Sequence, residues 1–142
     1  PVGRLDFDSL GLLLLTNDGE WAYRLTHPKY QVPRTYKATV SGRIPDQAMD
    51  RLKNGVLLED GPSGPSKAEL IQHQADRSIV RVTITQGRSR QVRRMLDAVG
   101  LKTIQLMRTA FGSLALGDLK VGRYRHLTQD ELNSLRKLVG LA

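Results

Sequence analysis

Ser78-Ile79-Val80-Arg81-Val82-Thr83-Ile84-Thr85 runs directly into Gln86-Gly87-Arg88-Ser89-Arg90-Gln91-Val92-Arg93-Arg94-Met95-Leu96-Asp97-Ala98-Val99-Gly100. At the join the hydrophobic period changes from two to about 3.6, the signature of a strand giving way to a helix. Val80, Val82 and Ile84 alternate with polar residues, as on a half-buried strand. Val92, Met95, Leu96 and Val99 recur at helical spacing, and Gly100 follows as a stop. At about 100° per residue, Arg93 falls at the edge of this apolar stripe and Arg90 and Arg94 on the far side. Arg93 is therefore expected to reach into a cleft, and the other two to face solvent or phosphate.

Strands dominate on either side of this pair. Residues 35–41 alternate, with Tyr36, Ala38 and Val40 on one face, and residues 56–59 and 68–73 read as further strands. The Gly/Pro/Ser-rich loop 60–66 reads as turn chemistry, the one flexible-looking segment, with no catalytic part. Pro45 opens a helix carrying Ala48, Met49 and Leu52, and Gly55 stands where a left-handed residue closes it. Upstream, residues 11–16 are apolar and end in Asn17-Asp18-Gly19, which predicts a short buried strand with Leu12 to Leu15 in the core. Asp18 then caps a helix through Trp21, Ala22 and Leu25 that Pro28 stops. Downstream, strands are expected over 103–108 and 113–116. Thr128-Gln129-Asp130-Glu131 is a capping box for a last helix through Leu132, Leu135 and Leu138. Helices scattered among hairpins predict an α+β fold, a mixed, largely antiparallel sheet with flanking helices, as one domain over residues 1–142.

Composition narrows the chemistry. The chain has 142 residues, 22 Lys+Arg against 14 Asp+Glu and a net charge of +8, which favours a polyanionic partner over a merely basic, soluble surface. It has no cysteine, which excludes disulfides and thiol catalysis and fits a reducing cytoplasm. His27, His73 and His126 are too widely spaced for a local metal motif. The longest purely apolar run, Leu12 to Leu15, is far short of the ~20 residues that span a bilayer, so no membrane association is expected. Aromatic residues make up only 5%, so any base contact rests on single placed rings rather than rows of them. With no metal cluster, no Ser/His/Asp set and no phosphate-cradling glycine loop, Asp6, Tyr36 and Arg93 are the best group left for chemistry on a nucleic acid. Taken singly, Asp6 reads as a turn or a salt bridge with Arg4, Tyr36 as core, and Arg93 as a helix-edge ion pair.

Five segments in register change that balance. Gly3-Arg4-Leu5-Asp6-Phe7-Asp8-Ser9-Leu10-Gly11-Leu12-Leu13-Leu14-Leu15-Thr16-Asn17-Asp18-Gly19 resembles the signature GRLDxxTxGLLLLTNDG of the ribosomal-RNA pseudouridine synthases of the RsuA/RluB type. Arg34-Thr35-Tyr36 resembles that family's K-x-Y segment, and Gln86 to Met95 its EGRxxxVRRM segment. Leu106 to Gly112 and Leu119 to Leu127 resemble its closing LxRxxxG and LxxGxxRxL patterns. Arg34 stands where the family usually has lysine, Gln86 where it has glutamate and Ser9 where threonine is common.

The resemblance implies a pseudouridine synthase catalytic fold and roles position by position. Asp6 matches the aspartate that attacks the ribose of a uridine, so that the base detaches, turns and rejoins through carbon 5. Tyr36 matches the tyrosine that packs on the extruded uracil and helps remove the carbon 5 proton, and Arg93 the basic residue that holds the aspartate ionised and aimed. Arg4, Arg34, Arg88, Arg90, Arg94 and Arg108 are the expected RNA contacts. The implied reaction needs no cofactor and no metal. The implied partner is ribosomal RNA, 23S rather than 16S, or a ribosome assembly intermediate, met by a cytoplasmic monomer. A small-subunit or transfer-RNA target, or a catalytically silent RNA-binding module, are the rival readings. Relatives carry an S4-like RNA-binding domain and first strands ahead of the matching point. A chain that opens at Pro1 is therefore expected to be an N-terminally truncated piece.

Overall fold

The computed structural model describes residues 1–141. In chain order its elements are β1 (Leu10–Gly11), α1 (Gly19–Thr26), β2 (Arg34–Ser41), α2 (Asp46–Asn54), β3 (Leu57–Leu58), β4 (Gly61–Pro62), β5 (Lys67–His73), β6 (Arg77–Ile84), α3 (Gln91–Ala98), β7 (Thr103–Phe111), β8 (Leu114–Ala115) and α4 (Gln129–Leu138). The main sheet runs β1-β7-β2-β6-β5, with β8 also paired to β7, and β3 and β4 form a separate small hairpin. Only β1 and β7 are parallel; the other ladders are antiparallel. This is the mixed α+β architecture expected from the order of periodic segments.

The long central strands follow their alternation. On β2, Ala38 and Val40 are fully buried, and Ala38 stands between Val80 of β6 and Leu106 of β7. These side chains pack with Met49 and Leu52 of α2 and Val92, Met95 and Leu96 of α3 into the larger core. Each fully buried Leu or Met in it contributes about 1.5–3 kcal/mol. A second core gathers Val2, Leu12, Leu14, Trp21, Leu25, Val32, Phe111, Leu135 and Val139. Here α1 is capped as expected, with the Asp18 carboxylate accepting from the Trp21 N–H at 3.1 Å. The capping box at α4 is complete in both directions.

β7 carries an irregularity with consequences for the site. Thr35 faces Ala110 but Tyr36 faces Arg108, so one extra residue is spliced into β7. Side chains on a strand alternate with period two, and the bulge therefore turns Leu106 and Arg108 inward where regular pairing would turn Met107 and Thr109.

Four expectations are corrected. Residues 11–16 are not one buried strand: only Leu10 and Gly11 join the ladder, Leu12 and Leu14 are buried, and Leu13 and Leu15 are exposed. The run lies at the sheet edge, where alternate side chains face solvent, so leucine content overstated its burial. The segment 56–59 belongs to the small hairpin rather than the main sheet. The loop 60–66 is fastened rather than loose: the Ser63 hydroxyl accepts from the Val56 N–H at 2.8 Å, and the Ser66 hydroxyl donates to the Leu52 carbonyl at 2.7 Å. Gly55, which starts this excursion, has φ +107° and ψ 150°, not the left-handed helical values. A Cβ there would stand 2.9 Å from the Gly64 carbonyl oxygen.

Candidate active site

Asp6 lies in the loop between Gly3 and β1. Its carbonyl accepts from the Ser9 N–H at 2.9 Å, closing a turn with Phe7 and Asp8 at the corner. The turn aims successive side chains differently. Phe7 projects into solvent, 96% exposed, while Asp8 and Asp6 face α3.

Arg90 and Arg93 meet them from α3. Arg90 adopts φ +51°, a left-handed conformation that costs a non-glycine residue on the order of 1 kcal/mol or more. From that position its guanidinium grips Asp8 with two hydrogen bonds, 2.9 and 3.0 Å, and lies 5.8 Å from the centre of the Phe7 ring. Arg93 donates to the Asp8 carbonyl at 2.7 Å and to the Ser9 hydroxyl at 3.2 Å. The Arg90 hydrogen bond holds the Asp8 carboxyl below the usual carboxylate range. Asp6 is treated differently. Its Oδ2 stands 4.0 Å from Arg90 and 3.9 Å from Arg93, and its side chain accepts no hydrogen bond among the described residues. Asp8 thus takes the short contacts, and Asp6 keeps two positive charges nearby with its oxygens uncovered, the condition a carboxylate nucleophile requires. The salt bridge with Arg4 that would have made Asp6 structural does not form.

Asp6 opens onto a cleft of about 290 Å³, whose lining includes Tyr36, Arg34 and Arg108 from the sheet and Arg88, Arg90 and Val92 from the strand–helix junction. Tyr36 is half-buried, packed against the larger core on one side and lining the cleft on the other. The structure therefore brings Asp6, Tyr36 and Arg93 to one place, with Arg93 behind Asp6 rather than on the cleft lining.

The six arginines expected at RNA divide into distinct environments. Arg4 is exposed with no ion pair among the described residues. Arg88 donates to the carbonyls of Asp60, Gly61 and Pro62, and Arg94 holds the Asp60 carboxylate at 2.8 and 3.1 Å. Arg90 is taken by Asp8. Arg88, Arg90 and Arg94 are thus already paired with carboxylates rather than left to solvent, because Asp8 and Asp60 sit across from them in loops whose position no helical wheel reveals.

Arg34 and Arg108 are buried, 5% and 4% exposed, and belong to the cleft floor rather than an outer face. Arg34 donates to the carbonyls of Val32 and Thr85 at 2.9 and 3.2 Å and approaches those of Leu25 and Thr26 at the C-terminal end of α1 at 3.5 Å. That helix end carries partial negative charge and suits a guanidinium. Burial, and to a lesser extent the charge of Arg108, push the Arg34 guanidinium below its ordinary value, while Tyr36 opposes them. Sequence reasoning also missed Phe7 and Asp8. The alternation of acidic and apolar residues in Leu5-Asp6-Phe7-Asp8 was the available signal, but only the turn separates their directions.

No group of three or more His, Asp or Glu among the described residues is arranged to hold a metal ion. No helix among them is long and apolar enough to cross a membrane.

Against known proteins, the family described as RNA pseudouridylate synthase matches residues 1–98. The chain belongs to the RNA pseudouridylate synthase family. Among curated members, it is 46% identical over 140 residues to ribosomal large subunit pseudouridine synthase B of Bacillus subtilis, covering 97% of this chain and 57% of that protein. It is 41% identical over 142 residues to the protein of the same name from Pseudomonas aeruginosa, covering 99% of this chain and 37% of that one. A crystal structure of a pseudouridylate synthase superposes with a TM-score of 0.88 at 39% identity, covering 94% of this chain and 58% of that chain. The chain thus spans little more than half the length of several family members it matches.

Proposed function

We propose that this chain supplies the catalytic domain of an RNA pseudouridine synthase that converts a uridine of ribosomal RNA, 23S rather than 16S, into pseudouridine, with Asp6 as the nucleophile. The observation that carries the reading is the Asp6 carboxylate, accepting no hydrogen bond among the described residues and faced by Arg90 and Arg93, at the mouth of a cleft that also holds Tyr36. The two large-subunit synthases among its relatives favour the 23S target.

The residues suit the chemistry. An Asp6 oxygen adds to C1′ of the ribose, or assists its ionisation, and the C1′–N1 bond breaks with its electron pair passing to the base. The base turns, C5 bonds to C1′, and the carboxylate is released unchanged. The proton lost from C5 is balanced by the one gained at N1, so the step is an isomerisation. Extruding a base from structured RNA costs a few kcal/mol, which a ring such as Tyr36 offsets by stacking. Arg4 and the rim charges meet the backbone.

The test uses the full-length protein. In cells lacking the gene, one or more pseudouridines of ribosomal RNA disappear; the wild-type gene restores them and Asp6→Asn does not. Purified Asp6→Asn keeps RNA affinity within about three-fold, as expected for a group used only in the transition state. Turnover retained by Asp6→Asn would refute the assignment. A wild-type protein that binds ribosomal RNA and modifies nothing would instead support a silent binding module.

A further inference from the structure

The floor of the cleft holds a cation with no carboxylate partner among the described residues. Arg108 is 4% exposed, makes no salt bridge among the described residues, and donates only through Nε, to the Leu12 carbonyl at 2.9 Å. Its Nη2 is buried without any hydrogen-bond partner among the described residues. A guanidinium carries five N–H donors, and burying any of them unpaired costs stability, more so for a charged group than for a neutral one. Arg34, nearby on the same floor, differs in that its donors are spread over carbonyls. The β7 bulge turns Arg108 inward, directly across the ladder from Tyr36. The Phe111 ring, 5.0 Å from the guanidinium carbon, supports it from within the fold.

We propose that Arg108 is a catalytic residue whose free guanidinium N–H groups bind a carbonyl oxygen of the extruded uracil and stabilise the negative charge that develops there when the C1′–N1 bond breaks. The leaving electron pair delocalises from N1 onto O2 and O4, and a fixed donor in a closed site stabilises such charge far better than water does. Depth decides between base and phosphate. A backbone phosphate, joined to sugars on both sides, stays at the rim with Arg4, whereas a single extruded base reaches a floor that is almost wholly buried. Phosphates position, and groups beneath them read the base. The inference rests on the pseudouridine synthase reading of the same site.

The experiment measures single-turnover rate, RNA affinity and its salt dependence for full-length wild type, Arg108→Met and Arg108→Lys. The substrate is an RNA fragment carrying the target uridine or its 2-thio or 4-thio analogue. Removing one such donor slows the chemical step by about 10²–10³-fold. RNA affinity stays within about three-fold and the salt slope is unchanged. One of the two thio substitutions, which replaces the bonded oxygen by a weaker acceptor, slows wild type but slows Arg108→Met no further, the coupling expected of directly interacting groups. A purely structural arginine does not produce that coupling. If Arg108→Met does not fold, Arg108→Lys, which keeps the charge and loses the fork, carries the same cycle. A rate within about three-fold of an active wild type, or independent thio and Arg108 effects, overturns the role of Arg108 and leaves the Asp6 reading standing. A salt slope reduced by about 0.7–0.9, one phosphate contact, overturns it in favour of backbone binding. A wild type inactive on every ribosomal RNA fragment overturns both.

Discussion

Replacing Gly11 by alanine tests the packing that holds the Asp6 loop against the sheet. Gly11 has φ +115°, and a Cβ there would lie 2.2 Å from the Arg108 carbonyl oxygen and 2.6 Å from its nitrogen. Both atoms are backbone, so no side-chain rotation relieves the clash; β1 must move away from β7 by most of an ångström. Two contacts break with it, the Leu12 N–H to the Arg108 carbonyl and the Arg108 guanidinium to the Leu12 carbonyl, each at 2.9 Å. Backbone strain at a positive φ costs about 1–3 kcal/mol. The two hydrogen bonds contribute roughly 0.5–1.5 and 1.5–3 kcal/mol, the larger value for the charged donor. Gly11→Ala is therefore expected to lose about 3–7.5 kcal/mol, against a whole-domain stability of about 5–15 kcal/mol. Urea denaturation of the full-length variant reads this as a fall in midpoint at constant slope. Gly19→Ala is the control: its φ is unexceptional and no atom lies within 4 Å of its added Cβ. It should be neutral or slightly stabilising. A loss below about 1 kcal/mol for Gly11→Ala would refute the claim that this close approach fixes the loop.

Charge pairing predicts an asymmetry among the surface arginines. Arg4→Gln should flatten the salt dependence of RNA binding by about 0.7–0.9, whereas Arg94→Gln, already neutralised by Asp60, should change it less; equal slopes for the two would show that the Asp60 pair opens on RNA. Phe7→Ala should leave the unfolding midpoint unchanged and weaken RNA binding by about 1–3 kcal/mol if the exposed ring stacks on a base; unchanged affinity in a filter-binding titration would exclude that contact. Glu131 is drawn from 4.5 down to about 2, first by the Arg125 hydrogen bonds and then by the Thr128 backbone N–H. A carboxyl depressed on folding stabilises above its unfolded value and loses that contribution as the pH falls through its folded one. Wild type should therefore lose more stability than Glu131→Gln between about pH 4.5 and pH 2, and parallel denaturation curves across that window would contradict the pairing.

The sequence alone determined the long central strands, the four helices and two of their caps. Period-two alternation at Tyr36, Ala38 and Val40, the switch to helical spacing after Gly87, and the caps at Asp18 and Thr128 are local signals, because strand, helix and cap are decided by near neighbours. Asp6, Tyr36 and Arg93 were singled out through their motifs, and the matched family bears out the resemblance behind that choice, not the roles themselves. Pairing across the fold was not legible. That Asp8 would take Arg90, that Asp60 would fasten Arg88 and Arg94, and that a bulge would turn Arg108 under the cleft each depend on residues 28 to 82 positions apart or on a ladder register. Such contacts are chosen by how sheet and loops close on one another. A helical wheel places a charge on a face, but only tertiary packing places the opposite charge across from it.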